Sequence, residues 1–259
     1  MTTKTTTTAS LLALLALTAT PSFAQTELPY DWSFTANAGL FTDYRFRGIS
    51  QTNRHPAFQG GFDFSHKLGF YVGNWNSNVD SGLYNGGNLE MDFYGGYKGT
   101  VNEFSYDAGL LYYYYPGSGS NGAPGTFKVD NTELYVSGGW GPLSLKYSYA
   151  VSDFFGVNDT KGAYYLDGTV TYPVTKEFSL VGHIGYQGGL KNNARIAELD
   201  GNVRDSITDW KLGVTYDLKG WTLGASYIDT NRSFTLGTAA AENREIGNST
   251  LVLSVSKSF

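Results

Sequence analysis

Charged side chains recur at every second position in stretches that otherwise alternate between apolar and small residues. Asp43, Arg45 and Arg47 stand two apart near the start of the chain, followed by Asp63, the pair Glu90 and Asp92, and Asp107. Glu133, Lys146, Asp167, His183 and Lys211 continue the series. Residues two apart in a strand share a face, so these groups belong on one surface. Acids and bases gathered on a water-filled surface orient ions and polar solutes, which is the work of a pore lining. Catalytic chemistry lacks its parts. Of the 3 histidines, His55 falls in a loop, His66 at a turn, and His183 stands alone on the charged face without the Ser partner that acyl transfer needs. There are 0 cysteines, which removes thiolate chemistry and Cys-based zinc sites. The Gly-rich run Pro116–Asp130 precedes no helix and so is no phosphate cradle, and no acidic spacing fits an EF-hand. The reading assigns no catalytic, cofactor or metal residue and expects no enzyme.

The elements that must position these groups are strands. Trp32, Phe34, Ala36, Ala38 and Leu40 share one parity, and Ser33, Thr35, Asn37 and Gly39 take the other. Similar alternation runs through Phe58–Phe64, Leu89–Tyr97, Phe104–Tyr114, Leu134–Trp140, Leu143–Tyr149, Tyr164–Tyr172, Phe178–Tyr186, Trp210–Leu218, Trp221–Tyr227 and Leu251–Phe259. In Phe70–Val79 two parities compete, and the asparagines at 74, 76 and 78 favour Tyr71, Gly73 and Trp75 as the apolar side. About twelve strands of eight to twelve residues result, close to the length that crosses a bilayer when tilted. Short turns (Lys67–Gly69, Gly99–Glu103, Gly141–Pro142, Pro173–Glu177, Lys219–Gly220) alternate with long polar loops. The loops run over Arg47–Pro56, Asn78–Asn88, Pro116–Asn131, Val151–Gly162, Gly188–Thr208 and Asp229–Ser249. This alternation predicts an all-β, up-and-down transmembrane barrel with short periplasmic turns, long extracellular loops and both termini in the periplasm.

Composition agrees. The 259 residues include 33 Gly, 20 Tyr, 16 Phe and 5 Trp, and only 16% are charged. Mean hydropathy of −0.26 rules out a helical membrane protein. A net charge of −5 leaves no basic stripe for nucleic acid. Residues 1–24 carry Lys4, an apolar run from Leu11 to Leu17 and a small-x-small Ser22-Phe23-Ala24, as a cleaved signal peptide does. Residues 25–259 then form one barrel domain. Aromatics cluster beside the short turns (Phe64, Tyr97, Phe104, Trp140, Tyr172, Phe178, Trp221) and beside the long loops. The second group is Tyr44, Phe46, Tyr112, Tyr114, Tyr147, Tyr149, Tyr164, Tyr186, Trp210 and Tyr227, and together they predict two interfacial belts.

Inward small residues such as Ser137, Ser144, Gly213 and Ser254 favour an open lumen, whereas Tyr94, Tyr113, Tyr115, Tyr135 and Tyr165 would narrow it. Twelve strands enclose a backbone cylinder roughly 24 Å across. Asp63, Glu90, Asp92 and Asp107 predict an acidic wall, and the excess of acids predicts a mild cation preference. A salt-bridged interior that only stabilises a closed barrel is the competing reading of the same charges.

Thr42–Thr52 (TDYRFRGISQT) resembles the signature of a proteobacterial family of predicted porins labelled TorF, also called Gcw_chp. Pro56–Asp80, Asn88–Gly99, Phe104–Gly117 and Thr132–Gly156 are similar to the same family. The terminal Phe259, with Leu251, Leu253, Val255 and Lys257 alternating behind it, resembles the C-terminal assembly signal of bacterial outer-membrane barrels. The resemblance implies an outer-membrane barrel surrounded by lipid and lipopolysaccharide and inserted by the barrel-assembly machinery. It also implies passive passage of small polar or ionic solutes. Two alternatives stay open: a non-conducting structural or ligand-binding barrel and, with less support, an outer-membrane enzyme.

Overall fold

The computed structural model describes residues 26–119, 127–191, 205–236 and 244–259, so the expected signal peptide lies outside the described residues. Twelve antiparallel strands make the barrel. They are β1 (Trp32–Phe41), β2 (Ala57–His66), β3 (Phe70–Asn78), β4 (Leu89–Val101), β5 (Phe104–Tyr114) and β6 (Asn131–Trp140). The second half is β7 (Leu143–Ala150), β8 (Tyr164–Pro173), β9 (Phe178–Gly188), β10 (Ile207–Leu218), β11 (Trp221–Thr230) and β12 (Thr250–Ser258). Each strand pairs with its sequence neighbour, and β12 returns to β1 through Ser254↔Phe41 to Ser258↔Asn37. Phe259 finishes the seam: its N–H donates to Ala36 O at 2.7 Å, and Ala36 N–H donates back to Phe259 O at 3.0 Å. No sheet edge is left unpaired along the barrel wall, the condition for a sheet to sit in hydrocarbon.

Alternation then sorts side chains radially. Leu212 is 69% exposed, and Leu134, Val136, Leu145, Leu166, Ile184, Leu251 and Leu253 likewise point outward without protein cover. Tyr97, Phe104, Trp140, Tyr172 and Trp221 border this apolar surface at the short turns, and Tyr147, Tyr149, Tyr186 and Tyr227 border it at the other end. Bare apolar area on this scale is stable only against lipid. Lys257, a cation among these outward residues, places its ammonium 5.1 Å from the Trp221 ring and 5.4 Å from that of Phe259, where cation–π attraction and a snorkelling stem offset its charge.

Three expectations change. In β3 the parity is reversed: Tyr71 is 6% exposed and Trp75 points inward with it, whereas Phe70 is 55% exposed and Val72 faces out. On the outer face the asparagine amide groups donate to one another and to the backbone. Asn76 Nδ2 donates to Asn74 Oδ1, and Asn74 Nδ2 donates to Asp92 O at 3.0 Å. Tyr44 and Phe46 belong to no interfacial belt; both pack in the interior, Tyr44 edge-on to Trp75 and Phe46 edge-on to Tyr113. Finally, β1 stops at Phe41, so Asp43, Arg45 and Arg47 sit on the β1–β2 loop and not on a wall strand. That loop turns into the barrel.

The radial sorting predicts unequal costs for one new charge. Leu212→Arg, in the middle of β10 on the outer face, should lose about 2–4 kcal/mol of unfolding free energy in lipid vesicles. Ser144→Arg, facing the inner cavity, should lose no more than about 1 kcal/mol. Denaturant titration of both variants checks the ordering.

Candidate functional site

The barrel interior has two unlike halves. On the β2–β6 side, tyrosines fill the space and hold the carboxylates. Tyr94 Oη donates to Asp63 at 2.7 Å, Tyr71 Oη to Asp107 at 2.6 Å and Tyr44 Oη to Glu90 at 2.8 Å. Tyr71 and Tyr135 also bond to each other through their hydroxyls. The expected acidic wall is therefore present, but phenols cap its carboxylates. Only Asp92 of that group borders the open space, 2% exposed and with Oδ1 lacking a hydrogen-bond partner among the described residues.

On the β7–β12 side small residues leave room. A cavity of about 230 Å³ is lined there by Ser144, Ser148, Ser226 and Ser254, with Lys146, Asp167, His183, Asp209 and Lys211, and by Ser137 of β6. His183 is braced on both ring nitrogens. Nδ1 lies 3.4 Å from Asp167 and 3.1 Å from Thr169 Oγ1, and Nε2 lies 3.0 Å from Asp209. Neither nitrogen is left to take a proton from a nucleophile, so His183 is not placed as an acyl-transfer base. Lys146 sits with its ammonium 4.3 Å from the Tyr135 ring.

Over this cavity lies the β1–β2 loop, folded as a two-residue hairpin. Arg45–Phe46 pairs with Ile49–Ser50, and the turn residues Arg47 and Gly48 have φ of 47° and 80°. Two positive φ values make the turn type that matches strand twist, normally built from Asn-Gly. Arginine in the first turn position is held there against its preference, and its side chain explains the exception. Arg47 crosses the lumen: Nη2 donates to Glu133 of β6 at 2.9 and 2.7 Å, and Nη1 to Gln187 Oε1 of β9 at 2.5 Å. Its guanidinium lies 4.4 Å from the Tyr165 ring, 5.5 Å from Phe154 and 4.7 Å from its neighbour Phe46. Burial opposes the charge of Arg47, but Glu133 together with Tyr113 and Tyr165 outweighs it, and the guanidinium is held above its ordinary range.

The base of the hairpin is equally fixed. Arg45 Nε donates to Asp43 at 2.6 Å, and Nη1 reaches Gly48 O, Ile246 O and Asn248 O at 2.8–3.0 Å. Ser50 Oγ donates to the other Asp43 oxygen at 2.6 Å. Further out, Tyr84 Oη donates to Gln51 Oε1 and its ring stacks on Tyr115 at 4.2 Å; burial pushes the Tyr84 phenol well up. Gly48 touches the far wall so closely that a Cβ there would lie 2.6 Å from Asp209 Cβ and against Thr230.

The eleven positions singled out from parity are all inside the barrel, but not as one lining. Arg45, Arg47, Asp92, Lys146, Asp167, His183 and Lys211 border the cavity. Asp63, Glu90, Asp107 and Glu133 are tied to tyrosines or to Arg47. Sequence reading missed Asp209, Gln187 and Gly48. Asp209 and Gln187 share the inward parity of Lys211 and His183 and lie one step beyond the expected strand limits, so extending the alternation would have reached them. Nothing local marks Gly48 as a wall contact.

The hairpin packing gives a test. Gly48→Ala has neither the backbone preference nor the space, so the tip should leave its seat. Amide exchange at Ser50 and Gln51, whose N–H groups donate to Ile246 O and Tyr44 O, should accelerate on the order of ten-fold or more. Amides of β8 and β9 should keep their protection; unchanged exchange at Ser50 would contradict the close packing.

The family model described as "Bacterial protein of unknown function (Gcw_chp)" matches residues 24–259. Among solved structures, a KdgM porin superposes with TM-score 0.52 at 11% identity over 87% of this chain and 99% of its own. A second KdgM porin structure, in complex with disordered oligogalacturonate, gives TM-score 0.51 at 12% identity over 87% and 98%. A NanC porin gives TM-score 0.51 at 12% identity over the same shares, 87% and 98%. At such identity the likeness speaks to fold alone. No curated protein matches the sequence.

Proposed function

We infer function from the premise that this chain belongs to the Gcw_chp family. The protein acts as an outer-membrane diffusion channel of porin type. Small polar or ionic solutes pass through the water-lined half of the lumen, beside the Arg47 hairpin. One observation carries this reading: an apolar outer surface encloses a cavity walled by serines and fixed charges. A barrel that served only as an anchor would have no need to keep a charged, small-residue wall clear on one side. Porin neighbours with the same architecture support it. The short turns and the C-terminal strand with Phe259 fit insertion by the barrel-assembly machinery with both termini in the periplasm, lipid and lipopolysaccharide around the wall, and a leader removed after residue 24.

A non-conducting, ligand-binding barrel is the second reading, favoured by the hairpin seated across the mouth. The enzyme reading finds no support in the engaged imidazole of His183.

Planar-bilayer recording separates the first two. The full chain should give small conductance steps. Replacing Arg45–Ser50 by a short Gly-Ser link should enlarge them several-fold, on the order of three-fold or more. Reversal potentials in a salt gradient should show a mild cation preference, as the excess of acids over bases in the chain predicts. Absence of steps from both proteins would defeat the channel reading, and an anion preference would defeat the selectivity.

A further inference from the structure

Arg47 does more than block space: it occupies a site made for its head group. Glu133 supplies a two-oxygen acceptor, Gln187 Oε1 a third acceptor, and Tyr165 and Phe154 supply aromatic faces within 5.5 Å of the guanidinium carbon. A planar cation with several in-plane donors matches such a set, and a compact ammonium does not. These walls come from β6, β8, β9 and the β7–β8 loop, none of them part of the hairpin that carries Arg47. The recognition site would thus remain if the hairpin withdrew. Glu133 would then be buried, with Asn131 Nδ2 at 3.2 Å and Tyr113 Oη at 3.4 Å as its other donors, and with Lys146 acting on it through charge but in no hydrogen bond to it among the described residues.

We propose that Arg47 is a tethered stand-in for a guanidinium-bearing solute. Such a solute, on entering the mouth, takes the Glu133–Gln187 site and releases the hairpin. The opening of the lumen that follows rests on the channel reading; the site itself does not. A tethered group competes at an effective concentration in the millimolar range, so displacement needs solute at comparable concentration. Weak binding of this kind suits a permeant species, which must also leave.

Chemical rescue tests the site without relying on conduction. The refolded full chain is melted in detergent with methylguanidinium chloride, and with sodium chloride or methylammonium chloride at equal concentration. In Arg47→Ala, methylguanidinium should fill the vacated site and raise Tm by about 3–6 °C near ten times its Kd. The wild type, whose site is occupied, should show less than half that rise. The double variant Arg47→Ala/Glu133→Gln should show none beyond the sodium control. No rise in Arg47→Ala, or an equal rise with methylammonium, overturns the inference. Should Arg47→Ala fail to refold, the same titration on Arg47→Lys decides, because lysine fills the site without the planar fork.

Conductance supplies the second arm. Millimolar methylguanidinium should enlarge wild-type steps and leave those of Arg47→Ala unchanged. Rescue in the melt without any conductance would keep the site and defeat the channel. Conductance steps without rescue would do the reverse.

Discussion

Hydrocarbon offers a peptide group no hydrogen-bond partner, and every other feature of this molecule follows from that constraint. A sheet in lipid must close on itself, and closure fixes an inside and an outside for each residue of twelve strands. The seam is completed by the terminal residue, since Phe259 exchanges both backbone bonds with Ala36. Once closed, the barrel assigns Leu212 to lipid and its neighbour Lys211 to the interior by pleat alone.

Inside, a second constraint operates. Charges removed from bulk water need partners, and the two halves meet this need differently. The β2–β6 half pairs acids with phenols: Asp63 with Tyr94, Asp107 with Tyr71, Glu90 with Tyr44. Tyrosine suits the task because one side chain fills volume and donates a hydrogen bond at its tip. The β7–β12 half uses small walls and places acids beside cations, as with His183 between Asp167 and Asp209. Among the described residues the cavity lies mainly against the second half. The surplus of acids over bases in the sequence thus overstates how negative the accessible lumen is.

The hairpin joins the two halves. Its tip holds a non-glycine residue in the left-handed region, a conformation that costs of order 1 kcal/mol or more and persists only where contacts impose it. Those contacts are a buried two-oxygen bond to Glu133 and aromatic faces on Arg47. Breaking a buried pair of this type is costly, about 3–5 kcal/mol, so the seat is stable unless a like group replaces the guanidinium. Stability and displaceability then stem from the same geometry.

Most of the barrel was legible beforehand because its signal is local. The pleat repeats every two residues, and loop lengths alternate along the chain. Strand β3 misled because Tyr71 and Trp75 are large and apolar enough for lipid, while asparagine is ordinarily a lumen residue; the hydrogen bond from Asn76 to Asn74 and that from Asn74 to the Asp92 carbonyl are invisible to parity. Tyr44 and Phe46 misled because the alternation of the first strand continues past its end at Phe41 into the loop. The residues of the candidate site could be gathered on one surface, but not their partners. Arg47 meets Glu133 across 86 positions and Gln187 across 140, and no periodicity spans such separations. By itself the sequence determined the closed barrel, its two faces and the charges it turns inward, since these depend on spacing along a strand. Tertiary structure alone decided that tyrosines cap the acids, that the first long loop enters the lumen and that Arg47 seats on the opposite wall. Those outcomes rest on side chains meeting across the barrel, where volume and hydrogen-bond geometry choose among partners that spacing leaves equivalent.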